Sequence, residues 1–183
     1  RVSTRKKSMK KLSASCGRRE KHNNMTRVTV LIATNYRAKL IGNALESVLR
    51  QTFKDFEVFV VDDGSVDATR KVVEEFSVRD SRIKYIASPP SERISKVSNF
   101  GIRRAAGEYI AILDDDDWWR DNEKLAKQAA FLDANPGCVG CGGGYAVVDE
   151  EGREKEKFLK PEHDREIKKN ALVANPLANS TAL

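Results

Sequence analysis

From Arg27 onward, short apolar runs alternate with helix-patterned stretches, and this alternation leaves few folds open. Val28-Thr29-Val30-Leu31-Ile32 and Phe56-Glu57-Val58-Phe59-Val60-Val61 are too short for helices and too apolar for half-solvated strands. Each therefore reads as a strand buried on both faces. Between them, Leu40/Ile41, Ala44/Leu45 and Val48/Leu49 recur every four residues, the period of an amphipathic helix over 38–51. Ser65 is expected to cap a second helix, with Asp67 in its first turn and Val72, Val73 and Phe76 on its inner face. Arg82 to Ala87 reads as a third strand. Residues 94–106 read as a helix closed by Gly107, and Tyr109 to Leu113 as a fourth strand. Leu125, Ala129 and Leu132 line a further helix that Asn135-Pro136-Gly137 stops. Val139 to Val148 reads as a glycine-interrupted strand. Residues 150–170 read as a charged loop with a short helix near 163–171. Alternating strands and helices give an α/β fold with a mainly parallel sheet flanked by helices. Ligands of such sheets bind outside the carboxyl ends of the strands.

The chain has 183 residues, enough for one domain with a sizeable core. Three cysteines exclude a disulfide-built miniprotein, and no apolar run reaches the ~20 residues of a bilayer-spanning helix. The net charge of +6 suggests a nucleic-acid partner until its distribution is considered. Residues 1–24 hold nine of the 33 Lys/Arg and one of the 27 acids, so the body is slightly acidic. The segment 1–24 is too polar to fold and is expected to be a disordered basic extension, native or not, preceding a folded unit over 25–183. It carries no aromatic residue for base stacking, which argues against a nucleic-acid arm.

Two strand ends are acidic. The second strand runs into Asp62-Asp63-Gly64-Ser65, the fourth into Asp114-Asp115-Asp116-Asp117-Trp118-Trp119. Adjacent carboxylates raise one another's pKa unless a cation neutralises them. On extended backbone, Asp114 and Asp116 point one way and Asp115 the other. A hard divalent cation suits such a group, because Mg²⁺ takes one or two protein carboxylates and completes its shell with water and phosphates. The competing reading is a solvated turn that caps the helix beginning near Asp121. Asp62 and Asp63 also read two ways: as a turn ahead of a helix, or as acceptors for a bound base or ribose.

These motifs, in order, resemble the family 2 glycosyltransferases. The resemblance rests on Val30 to Tyr36, Ala44 to Phe53, Val60 to Ser65, Asn99 to Ile102, Ala106 to Ile110 and Leu113 to Trp119. It implies the GT-A fold and inverting transfer of a sugar from a nucleotide-diphospho-sugar, with UDP the commonest base. The acceptor is a glycan, lipid-linked or other hydroxyl. It implies that Asp114 and Asp116 hold Mn²⁺ or Mg²⁺ as the family's D-x-D motif. Asp114 and Asp115 lie in the donor-binding set with Thr34, Tyr36, Asp62, Asp63 and Asn99. It further implies a cytoplasmic enzyme, since many relatives build polysaccharides at the cytoplasmic face of a membrane.

Two departures stand out. Ala33-Thr34-Asn35-Tyr36 replaces the family's Pro-Thr-Tyr-Asn, and Ser98 stands where an Arg commonly precedes the Asn matched by Asn99. One cationic donor contact is therefore absent or supplied by Arg93 or Arg103. The family's general base lies in the acceptor half, beyond Leu183. The segment Asn175 to Leu183 resembles the entry to a strand just before it. The chain is thus expected to be an inactive fragment carrying the donor half.

Cys138-Val139-Gly140-Cys141 lacks the second ligand pair of a zinc site and reads as small buried cysteines in a strand. Gly142-Gly143-Gly144 reads as a close backbone approach. One of Trp118 and Trp119 is expected in the core, and His163 in a solvated loop. A receiver-like phosphoacceptor domain shares the Asp62-Asp63 pair after a buried strand. It needs a Lys after a later strand, and none follows Val148.

Overall fold

Four parallel strands, β1 (Val28–Thr34), β2 (Phe56–Asp62), β3 (Ile83–Ala87) and β4 (Tyr109–Ile112), form the main sheet of the computed structural model. The model describes residues 26–91, 93–149, 151–161, 164–170 and 178–183. The expectations for residues 1–24, for His163 and for 175–177 lie outside these.

The strand order is β3-β2-β1-β4. The chain first winds outward from β1, then crosses back so that β4 pairs with β1 on its other side. Val28 faces both Phe56 and Tyr109 in register, and Leu31 faces Phe59 and Ile112. The order thus reverses between β1 and β4, and the crevice above their carboxyl ends is the expected binding place.

Helices cover both faces because β1 and β2 are apolar on both. On one side, Val28, Val30 and Ile32 pack against Ile41, Ala44, Leu45 and Val48 of α1 (Ile41–Leu49) and Val73 of α2 (Thr69–Arg79). Leu125, Ala129 and Leu132 of α4 (Lys124–Ala134) join the same core. On the other side, Leu31, Phe59 and Val61 meet Val97 of α3 (Ile94–Ile102). This approach is close: a Cβ on Gly101 would lie 2.3 Å from Leu31 Cδ1.

Beyond the sheet the chain departs from several expectations. Asp67 precedes the first turn of α2, where its carboxylate accepts the Thr69 amide; Ser65 turns back to Asp62 and does not cap. Helix α3 ends at Ile102, short of the expected 106. Gly107 serves the next strand: a Cβ there would sit 2.3 Å from the Thr29 backbone nitrogen. Only Tyr145–Val148 of the glycine-interrupted run is a strand, β5. It pairs antiparallel with β6 (Glu154–Phe158), inside the stretch expected to be loop. Cys138 is exposed and Cys141 half-buried, outside any strand. The short helix α5 (Asp164–Asn170) forms where expected. Leu183 is not in a strand, but it exchanges two backbone hydrogen bonds with Cys141. No helix among the described residues is long and apolar enough to cross a membrane.

Candidate functional site

Two cavities open where β1, β2 and β4 end. The first, of about 720 Å³, is lined by Asn35, Tyr36, Asp63, Gly64, Ser91 and Ile94 among others. Its shape depends on Asp62, which is fully buried and fully engaged. Asp62 Oδ1 accepts the Ser65 amide (2.9 Å) and hydroxyl (2.6 Å), and Oδ2 accepts the Tyr85 hydroxyl (2.7 Å). Burial, then Asp62 itself, push the Tyr85 phenol up to about 12, so it stays a donor. Ser65 passes the constraint on: its Oγ accepts the Tyr36 amide at 2.8 Å. Tyr36 is thereby held at φ 55°, in the left-handed region that bulky residues rarely adopt. Its ring is about half exposed at the cavity wall. Asn35, in the place where the family has Tyr, donates to the Asp63 carbonyl at 2.7 Å, and Asp63 Oδ1 accepts the Ser91 amide at 2.6 Å. Gly64, at φ 79°, makes the turn that Asp63-Gly64 announces in the sequence.

The second cavity, of about 920 Å³, is lined by Asp114, Asp116, Asp117, Trp118, Lys124 and Ser180 among others. The backbone after β4 is a turn, with the Asp117 amide bonded to the Asp114 carbonyl at 3.2 Å. Asp114 and Asp116 nonetheless line this cavity while Asp115 turns away from it. The helix-capping reading of the acidic run falls to Asp121, whose carboxylate accepts the Glu123 amide just ahead of α4. Burial and the charges of Asp117, Asp116 and Asp115 push the Asp114 carboxyl above its ordinary value, against an opposing Ser180 hydrogen bond. No salt bridge to Asp114, Asp116 or Asp117 forms among the described residues. Lys124 lines the same space, with its ammonium over the Trp119 ring and bonded to Gln128 Oε1 at 2.6 Å.

Asp115 lines neither cavity. Burial raises its carboxyl, opposed by the Thr34 hydroxyl, the Arg37 guanidinium at 3.6 Å and the Asn35 amide. Thr34 is itself buried. Its hydroxyl favours the charged Asp115 without making a full hydrogen bond, and has no hydrogen-bond partner among the described residues. Asn99 and its flanking arginines, Arg93 and Arg103, lie exposed on or beside α3, and none of the three lines either cavity. Of the tryptophans, Trp119 is buried and Trp118 is partly exposed at the cavity wall.

Sequence reasoning missed Ser180 and Thr181. Ser180 Oγ accepts the Asp114 amide at 3.0 Å and donates to Asp117 Oδ2 at 2.5 Å. Its carbonyl accepts the Trp119 indole at 2.6 Å. The Thr181 carbonyl accepts from Gln128 at 2.8 Å. The partners lie more than 50 residues away in the chain, and no local pattern signals such pairings. The receiver-like alternative loses its geometry here: Tyr145–Val148 belongs to a separate antiparallel pair and adds no fifth parallel strand.

The geometry agrees with what the chain is similar to. Over 130 residues it is 32% identical to the putative teichuronic acid biosynthesis glycosyltransferase TuaG of Bacillus subtilis, covering 70% of this chain and 51% of TuaG. The mannosyltransferase PcManGT of Pyrobaculum calidifontis, solved with GDP-Man and Mn²⁺, superposes with a TM-score of 0.57 at 26% identity. That match covers 69% of this chain and 37% of PcManGT. S. aureus TarS 1-349 in complex with UDP-GlcNAc superposes with a TM-score of 0.55 at 28% identity, over 71% of this chain and 37% of that one. The chain spans about half or less of the length of the curated relatives it matches. The parallel α/β sheet is that of the GT-A glycosyltransferases. The family model described as Glycosyl transferase family 2 matches residues 29–178, and the chain belongs to that family.

Proposed function

We propose that residues 26–183 form the donor-binding half of an enzyme that transfers a sugar, with inversion, from a nucleoside-diphosphate sugar to a hydroxyl acceptor. The observation that carries this reading is the pair of cavities at the sheet's reversal point. One offers an aromatic ring and a carboxylate, the other a cluster of unneutralised carboxylates. Tyr36 packs on the base and Asp63 accepts from it. Asp62, with both oxygens occupied inside the protein, shapes the loop and does not touch the nucleotide. Asn99 takes part only if the donor reaches α3.

Asp114 and Asp116 fit a hard divalent cation. They offer oxygen donors with no salt-bridge partner among the described residues, although Lys124 lines the same cavity, and no set of three metal-ligating side chains gathers among the described residues. Such a site relies on water and diphosphate oxygens to complete the shell, as Mg²⁺ and Mn²⁺ sites do. When bound, the cation supplies Lewis-acid stabilisation to the departing diphosphate. Trp118 presents an apolar face to the sugar side. The base that deprotonates the acceptor hydroxyl is not assigned to any described residue.

Calorimetric titration of UDP and of GDP, with Mn²⁺ and with EDTA, tests the reading. Nucleotide binding should require Mn²⁺ and vanish in the Asp114→Ala/Asp116→Ala double variant. Equal binding in the variant, or none by the folded parent chain, would sink it.

A further inference from the structure

Ser180 reaches the acidic strand end from the far side of the chain, and its three contacts there are all polar. The Oγ takes the Asp114 amide and gives its proton to Asp117, while the carbonyl takes the Trp119 indole. Asp114 and Asp117 therefore depend on one hydroxyl for their relative placement. That hydroxyl has a directional consequence. Asp114, Asp116 and Asp117 all line the cavity without a salt-bridge partner among the described residues, and of these Asp117 Oδ2 accepts the Ser180 hydroxyl at 2.5 Å.

The path of the chain around Ser180 does not depend on the hydroxyl. Trp119 holds the Ser180 carbonyl, Gln128 holds the Thr181 carbonyl, and Thr181 Oγ1 and Gly143 exchange two hydrogen bonds, each of 3.1 Å. Leu183 and Cys141 add two more backbone bonds. Removing Oγ alone would leave this turn (Asn179–Thr181) in place and free only the acids.

We propose that Ser180 is a positioning residue of the metal–diphosphate site, fixing the Asp114 backbone and the orientation of the Asp117 carboxylate through its hydroxyl. This rests on the donor-site reading above. Groups that orient first-shell carboxylates from behind typically carry ten- to hundredfold in metal affinity.

The test compares the full chain with Ser180→Ala and Ser180→Thr. Three readouts are taken: Mn²⁺-dependent affinity for UDP or GDP by calorimetry, Mn²⁺ spin-resonance line shape in the nucleotide complex, and metal-free melting temperature. Ser180→Ala should weaken Mn²⁺-dependent nucleotide affinity about tenfold and alter the Mn²⁺ spectrum, with the metal-free melting temperature within a few degrees of the parent. Ser180→Thr, which keeps the hydroxyl, should restore most of the affinity. If the parent binds Mn²⁺ and nucleotide but Ser180→Ala matches it within twofold, the inference falls and the donor-site reading stands. If the affinity drops only in step with the melting temperature and the threonine does not rescue it, Ser180 is structural and the inference also falls. If the folded parent binds neither nucleotide with Mn²⁺, both fall together.

Discussion

The Ser65 hydroxyl accepts the backbone amide of Tyr36 at 2.8 Å and holds a tyrosine in the left-handed region of backbone space. The same oxygen donates to buried Asp62, so an internal carboxylate sets the conformation of a loop it never touches.

Replacing Ser65 with alanine removes both bonds and leaves Tyr36 free to relax. The expected result is a loss of about 1–2 kcal/mol in nucleotide affinity, roughly tenfold, measured by calorimetry well below the melting temperature. Unchanged affinity would show that the left-handed conformation of Tyr36 does not set nucleotide affinity.

Glu57 predicts an acid limb. It is buried on the α3 face of the sheet, where burial alone would raise its pKa. The Ala106 amide, Lys84 and the Thr29 hydroxyl overcome that and hold the carboxyl below its ordinary value. A lowered folded pKa gives stability that is present above the unfolded value and lost as pH falls through the folded one. Glu57→Gln should cost about 1–3 kcal/mol at pH 7 and flatten the decline in stability toward acid, as read by urea unfolding at pH 7 and pH 4.

Gly107 gives a steric prediction. Its amide donates to Thr29 Oγ1, and a Cβ would collide with backbone rather than with a yielding side chain. Gly107→Ala should destabilise by about 2–3 kcal/mol, with the midpoint of chemical unfolding shifted accordingly. A neutral result would mean that β1 and the β4 approach can separate at little cost.

Lys124 should impose a slope of the same sign in the alkaline range. Burial lowers its ammonium to about 8, with Cys141 nearby opposing. Between that value and 10.5 the unfolded chain binds more protons, so this residue makes stability rise with pH across the window. Burial raises the Cys141 thiol, which contributes the reverse slope, so the comparison belongs in a Cys141→Ala background. There, Lys124→Met should abolish the rise between pH 8 and pH 10. A slope that survives must come from another group.

The sheet was legible because β1, β2 and β4 are largely apolar runs, broken inside only by Thr29 and Glu57, of the kind that a strand covered on both faces explains. β6 was not, since Glu154-Lys155-Glu156-Lys157 is as charged as a loop. Its partner β5, the stacked Tyr145 and Phe158 rings and the Arg120–Glu154 ion pair supply what the local sequence lacks. The acidic strand end announced a candidate site through its position after β4, and its aspartates do line a cavity. The internal engagement of Asp62 was hidden, because its partner Tyr85 lies on another strand. Gly107 looked like a helix stop because glycine serves both turns and close approaches, and sequence does not distinguish them.

Asp115 lines neither cavity, yet it is tied to the loop carrying Tyr36 through Arg37 and the Asn35 amide and to the acidic turn by its own backbone. If the two chambers take the cation and the base as proposed, Asp115 is the residue through which occupancy of one would tell on the other. Linkage makes this exchange symmetric: whatever factor the nucleotide adds to cation affinity, the cation returns to nucleotide affinity. A cation titration and a nucleotide titration should then return the same coupling factor.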